Sequence, residues 1–212
     1  MPRASEPHLL VLHALRLKGF AAGDAVVAQT GVDGQQVVTL LEQLQDDRMV
    51  VHRGGRVTGW ALTPTGRRRH AELLAEELDG AGVREQVDLA YRRFLQANKV
   101  LLAVCTDWQM RDQDGPQVAN DHSDPVYDKA VIERLGRVDQ GIQPVCDDLS
   151  KLLARFTTYG PRLRRALEKV ENGDVDWFTK PMIDSYHTVW FELHEDLLAT
   201  LGIERSKEES AT

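Results

Sequence analysis

Apolar residues recur along most of this chain at intervals of three to four, the period of helices with one buried face. Leu9, Leu10, Leu12, Leu15 and Leu17, with His13 among them, predict a compact helix that stops at Lys18-Gly19. A short small-residue helix over 22–29 leads into Thr30-Gly31-Val32-Asp33-Gly34, a tight turn whose Asp33 is able to cap the next helix. From Gln35 to Asp46, Val37, Val38, Leu40, Leu41 and Leu44 mark the inner face and leave Gln35, Gln36, Thr39, Glu42 and Gln43 outside. The period then changes. Met49 to Leu62 reads as two β-branched runs about Gly54-Gly55, the pattern of a hairpin whose tip carries Arg53 and Arg56. Thr63-Pro64-Thr65-Gly66 starts another helix that ends at Asp79-Gly80.

Beyond Gly80-Ala81-Gly82 the pattern is helical throughout. One helix is predicted from Arg84 to about Met110, followed by a polar loop from Arg111 to Asp124. A long helical segment from Pro125 to about Tyr159 is expected to kink or divide at Gly141 and Pro144. A helix from Pro161 to Asn172-Gly173 and a last one from about Pro181 to Leu201, closed by Gly202, complete the pattern. The domains read as 1–80 and 84–205, with 206–212 a disordered acidic tail.

A chain of 212 residues that is 42% hydrophobic can bury a sizeable core in one or two domains. Its net charge of −7 excludes a basic nucleic-acid coat, but the charge is unevenly spread. Residues 1–75 hold nine Lys and Arg against seven Asp and Glu, a balance of +2, which leaves −9 for the remainder. The acidic part is not expected to touch phosphate. Cys105 and Cys146 lie in helical stretches without metal-finger spacing and read as buried free thiols. No apolar run approaches the roughly 18 to 20 residues that span a bilayer, so the expectation is a cytoplasmic protein with no membrane partner.

The order helix, helix, turn, helix, hairpin, helix, with Trp60-Ala61-Leu62-Thr63-Pro64-Thr65-Gly66-Arg67 closing the hairpin, resembles the winged helix-turn-helix of MarR-type and PadR-type regulators. The fold class is then mainly α, an N-terminal winged helix (α plus a β-hairpin wing) followed by an all-helical bundle domain. The resemblance implies a DNA partner and a homodimer whose contacts come from the C-terminal part. Chemistry agrees: Gln35, Gln36, Thr39 and Gln43 are suited to a major groove, where amide side chains pair with adenine edges. Arg53 and Arg56 can reach backbone or minor groove. The same helix carries Asp33, Glu42, Asp46 and Asp47 and has no Lys or Arg before Arg48, which weakens phosphate attraction and leaves protein contact as the other use of this face.

The helical part concentrates chemistry near its end, where Asp184, Ser185, Tyr186, His187, Trp190, Phe191, Glu192, His194, Glu195 and Asp196 fall within one stretch. His187, Phe191, His194 and Leu198 share one stripe and Tyr186, Trp190, Leu193 and Leu197 the next, both expected to be buried. Two histidines seven apart on a helix lie roughly 10 Å apart along its axis, too far to chelate one metal without another helix. Leu198 replaces the second histidine of a zincin motif. The histidines therefore satisfy core hydrogen bonds, or join Asp184 in a small-molecule pocket or an inter-helix metal site. Trp108 and Arg111 read either as a clamp for an anionic or planar effector or as an anchor for the following loop. Trp177-Phe178 reads as a staple for the final helix.

Thr106-Asp107-Trp108-Gln109, Asp121-His122-Ser123-Asp124-Pro125 and Ser185 to Glu195 resemble a helical domain of actinobacterial proteins described as regulators. The pair of domains also resembles the C-terminal portion of some phosphoenolpyruvate-utilising, pyruvate-phosphate-dikinase-like proteins. No phosphate loop, Ser-His-Asp motif or dinucleotide fingerprint is present, so an autonomous enzyme is not expected and no cofactor is assigned. Two functions remain: a ligand-responsive DNA-binding transcriptional regulator, or a non-catalytic accessory or substrate-binding subunit of a phosphoenolpyruvate-synthase-like phosphotransferase complex.

Overall fold

A computed structural model describes residues 1–112 and 117–205. The tail read from sequence as disordered, 206–212, lies outside the described residues, as do positions 113–116 of the polar loop. The chain is mainly helical and divides into two compact units. One comprises Arg3–Arg84 with the chain from Glu195 onward; the other comprises Met1–Pro2 with Glu85–His194.

In the first unit, α1 (Pro7–Lys18), α2 (Gly23–Thr30) and α3 (Gly34–Asp46) precede β1 (Val50–Arg53), β2 (Gly59–Leu62) and α4 (Pro64–Ala81). Local chemistry sets the boundaries. The Asp33 carboxylate accepts from the Gln35 and Gln36 backbone N–H groups at 3.0 and 3.2 Å, satisfying two donors that the first turn of α3 would leave orphaned. The strands pair antiparallel from Val50↔Leu62 to Arg53↔Gly59. Trp60 also exchanges backbone hydrogen bonds of 3.0 and 2.8 Å with Ala21, tying the hairpin to the α1–α2 connection. Leu12, Leu15, Val26, Val37, Leu41, Leu44, Val50 and Leu62 are packed into one core. Each such side chain contributes roughly 1.5–3 kcal/mol by leaving water. Val38, read from periodicity as an inner position, is 46% exposed: the buried stripe of α3 is narrower than its apolar pattern.

At the hairpin's exit the Thr63 hydroxyl donates to the Arg48 carbonyl at 2.7 Å and accepts from the Gly66 N–H at 3.1 Å. Pro64 occupies the first turn of α4, where no N–H is needed. Gly66 sits directly against the Met49 backbone, and a Cβ there would stand 1.9 Å from the Met49 carbonyl oxygen. This corner accepts only glycine for reasons of space.

The second unit contains α5 (Arg84–Gln109), β3 (Met110–Asp112), β4 (Gln117–Ala119) and α6 (Pro125–Leu152). A 3₁₀ turn (Ala154–Thr158) leads to α7 (Tyr159–Glu171), α8 (Asp176–Thr179) and α9 (Tyr186–Leu201), with α9 from Glu195 onward grouped with the first unit. Three features differ from the sequence pattern. The segment read as a polar loop forms a short antiparallel pair, Met110↔Ala119 to Asp112↔Gln117, flanking the positions not described. Of the kink or division expected at Gly141 and Pro144, the division does not occur: α6 is one helix, with buried Ile142, Val145, Cys146 and Leu149 around the missing N–H. The last helix starts at Tyr186 rather than Pro181 because the Ser185 hydroxyl accepts from the Thr188 N–H at 3.3 Å, a side-chain cap that overrides the proline signal. No helix among the described residues is long and apolar enough to cross a membrane.

Candidate functional sites

The outer face of α3 carries Gln35, Gln36, Thr39 and Gln43, all exposed, and adds Val38. Gln35, Gln36 and Thr39 fall in the first two turns, whereas Glu42 and Asp46 sit in its second half. The N-terminal turns carry the positive end of the helix dipole. Arg53 and Arg56 are exposed at the hairpin tip. Beside them, a pocket of about 460 Å³ is lined by Gln45, Arg48, Val51, His52 and Thr63. Arg48 adopts the left-handed conformation, φ 57°, immediately past α3.

The residues proposed from sequence for ligand binding fall in separate places within the second unit. Trp108 is buried between His122 and Phe178, with ring centroids 4.4 and 4.7 Å away. Arg111 pairs with Asp121 at 3.2 Å. The Asn120 amide donates to the Trp108 carbonyl at 3.1 Å and to Asp128 at 2.8 Å, and Asp128 stands 3.0 Å from His122. These contacts are those of an anchor for the following segment, while the Arg111 Nε is buried with no hydrogen-bond partner among the described residues, so both uses of Trp108 and Arg111 stay open.

Asp184 receives a two-pronged hydrogen bond from Arg162, 3.0 Å to each oxygen, and the same guanidinium donates to buried Glu192 at 2.7 Å. Burial works against the Arg162 charge, but Asp184 and Glu192 more than offset it and raise its pKa. Tyr186 is fully buried and its hydroxyl donates to Asp139 at 3.4 Å. Trp190 donates to Asn98 at 2.9 Å and packs on Phe94, which also meets His194 at 5.0 Å. His187 and Phe191, expected to share a buried stripe with His194, are exposed instead. Partial desolvation nevertheless lowers the pKa of the His187 imidazole. Among the described residues no cluster of three or more His, Cys, Asp or Glu side chains is placed to hold a metal.

Two buried polar clusters escaped the sequence reading. In the first unit, His13 Nδ1 lies 2.9 Å from His70 Nε2, with the rings stacked at 5.2 Å. His13 Nε2 faces Asp196 Oδ2 at 3.1 Å, and the Thr200 hydroxyl donates to the other Asp196 oxygen at 3.0 Å. The 3.1 Å approach of His13 Nε2 to Asp196 is an ion-pair distance without hydrogen-bond geometry, and the His13–His70 contact requires one ring to donate and the other to accept. His13, His70, Asp196 and Thr200 are all buried. The one available signal was a histidine inside an otherwise apolar stripe.

In the second unit, Asp139 is buried and accepts from Gln143 at 2.8 Å as well as from Tyr186, with Arg164 at 4.0 Å. Burial pushes its carboxyl above the usual carboxylate range, partly offset by these partners. Cys105 and Cys146 are buried free thiols, which burial pushes up to about 11 and about 12. Neither is a reactive thiolate near neutral pH.

No family model, curated protein or solved structure matches this chain.

Proposed function

We propose that the chain is a ligand-responsive DNA-binding transcriptional regulator whose Arg3–Arg84 segment is a winged helix-turn-helix acting as one half of a homodimer. The observation that carries this reading is the exposed first half of α3, where Gln35, Gln36, Val38 and Thr39 stand outward on a helix whose start is fixed by Asp33. Recognition helices contact base edges with their N-terminal residues. Amides reading adenine and an apolar contact on a thymine methyl, the latter supplied by Val38, form a coherent set. The acidic Glu42 and Asp46 lie in the later turns, away from the reading end. Arg53 and Arg56 on the hairpin provide the phosphate or minor-groove contacts.

The test is a gel shift on the DNA upstream of the protein's own gene across a salt series. With Arg48, Arg53 and Arg56 as the phosphate-facing cations, a dimer neutralises about six phosphates, giving a log–log salt slope of roughly −5. Arg53→Ala with Arg56→Ala reduces the slope and the affinity together. Absence of retention at low salt would remove the reading and favour a protein partner for α3.

A further inference from the structure

A groove between α5 and α6, of about 550 Å³, presents a different kind of chemistry from the rest of this acidic unit. Its lining combines Arg93, Arg134 and Arg137 with buried Val138 and Val145 and exposed Val100, and no carboxylate is among the described residues that line it. We propose that this groove binds a small amphipathic carboxylate, its acid group held by the three guanidiniums and its apolar body laid on the valines. The volume falls within the range of about 300–1,000 Å³ typical of small-molecule sites, and an apolar lining with a few convergent polar groups is their usual composition.

Charge selects a mono-anion. Arg93 pairs with Asp148 at 2.8 Å and Arg134 pairs with Asp107, whereas Arg137 has no ion-pair partner among the described residues. One positive charge is therefore left uncompensated there, and the paired guanidiniums retain further N–H donors for a ligand oxygen. Val100 is 53% exposed in the interior of α5. Across the groove, α6 places Gly141, a residue disfavoured in a helix interior relative to alanine. Nothing in the protein requires glycine there: no atom lies within 4 Å of where its Cβ would be. A side chain at 141 would project into space that a ligand body needs.

Binding itself is independent of any DNA function, whereas its role as an effector site rests on the regulator reading. The experiment uses the full chain and decanoate below its micelle concentration, followed by titration calorimetry and thermal melting, with decanol and decyltrimethylammonium alongside. Decanoate is expected to bind saturably at one site and to raise the melting temperature. Decanol and the Arg137→Gln variant should each weaken binding about tenfold, the loss of one charge-assisted contact. Gly141→Leu should abolish binding while circular dichroism stays native. Failure of decanoate to bind, equal binding of decanol, or binding unaffected by both substitutions overturns the proposal. Decanoate binding by a chain that retains no DNA at low salt upholds the groove and removes the regulator reading; DNA retention without decanoate binding does the reverse.

Discussion

Replacing Gly66 by alanine tests whether the Thr63–Gly66 corner is set by space rather than by backbone conformation. The added methyl would lie 1.9 Å from the Met49 carbonyl oxygen and 2.8 Å from its carbonyl carbon. Close carbon–oxygen contacts settle at about 3.3 Å, so helix and strand must separate by about 1.4 Å. That movement acts on the Thr63 N–H bond to Met49 (3.0 Å), the Thr63 hydroxyl bond to Arg48 (2.7 Å) and the Gly66 N–H bond to the Thr63 hydroxyl (3.1 Å). At about 1 kcal/mol net each these sum to about 3 kcal/mol. Overpacking strain adds about 1–3 kcal/mol, and the better helix propensity of alanine returns about 1. The expected loss is about 3–5 kcal/mol, read as a fall in the urea midpoint of the transition that includes the first unit. Gly141→Ala is the matched control, because its Cβ meets nothing within 4 Å and a gain of up to about 1 kcal/mol follows. A Gly66→Ala protein within 1 kcal/mol of the parent would refute the steric account.

Two further outcomes can be measured by the same unfolding assay. Because burial raises the Asp139 pKa, the folded chain keeps its proton where the unfolded chain, titrating at about 3.9, has lost it. Stability from this group therefore falls as pH rises from there through the raised folded pKa. Asp139→Asn removes the dependence and should gain on the parent between pH 4 and pH 7, and a pH-independent difference would contradict it. His13→Phe withdraws the imidazole from buried Asp196 and should cost about 3 kcal/mol or more, while His13→Phe with Asp196→Leu should recover part of that loss; strictly additive effects would show that the two do not interact.

The elements that sequence made legible are those whose signals are local. Asp33 two residues before Gln35, Pro64 after Thr63, and Gly19 after Lys18 each act within a single turn, and the structure uses all three as caps or terminators. Signals that compete locally were harder to rank. Pro181 marked a helix start by its fixed φ, but Ser185 offers a hydrogen bond as well, and the helix begins after it. Pro144 marked a kink or a division, yet α6 is not divided there, because the proline deletes only one N–H and buried neighbours on both sides outweigh that loss. Val38 illustrates the remaining ambiguity: periodicity allots five inner positions to α3, and whether the marginal one is covered depends on what lies opposite.

The interior clusters were illegible for a different reason. His13 and His70 are 57 residues apart, Tyr186 and Asp139 are 47 apart, and Arg162 reaches Glu192 across 30. A buried polar side chain requires a partner, but its sequence neighbourhood does not say which element supplies it. Asp184, His187 and His194, grouped by their proximity in sequence, have separate surroundings in the structure. Asp184 precedes α9 and meets Arg162 of α7, whereas His187 is exposed and His194 meets Phe94 of α5 although the two histidines, seven apart, share one side of α9; what covers each turn is set by the neighbouring elements. The arginines of the α5–α6 groove follow the same logic in reverse. Arg93, Arg134 and Arg137 carry no motif along the chain, yet positions 134, 137, 138, 141 and 145 are three, four and seven apart and so share one face of α6. Chemistry of this kind is encoded by which faces meet, and periodicity within each helix becomes informative only once its partner is known.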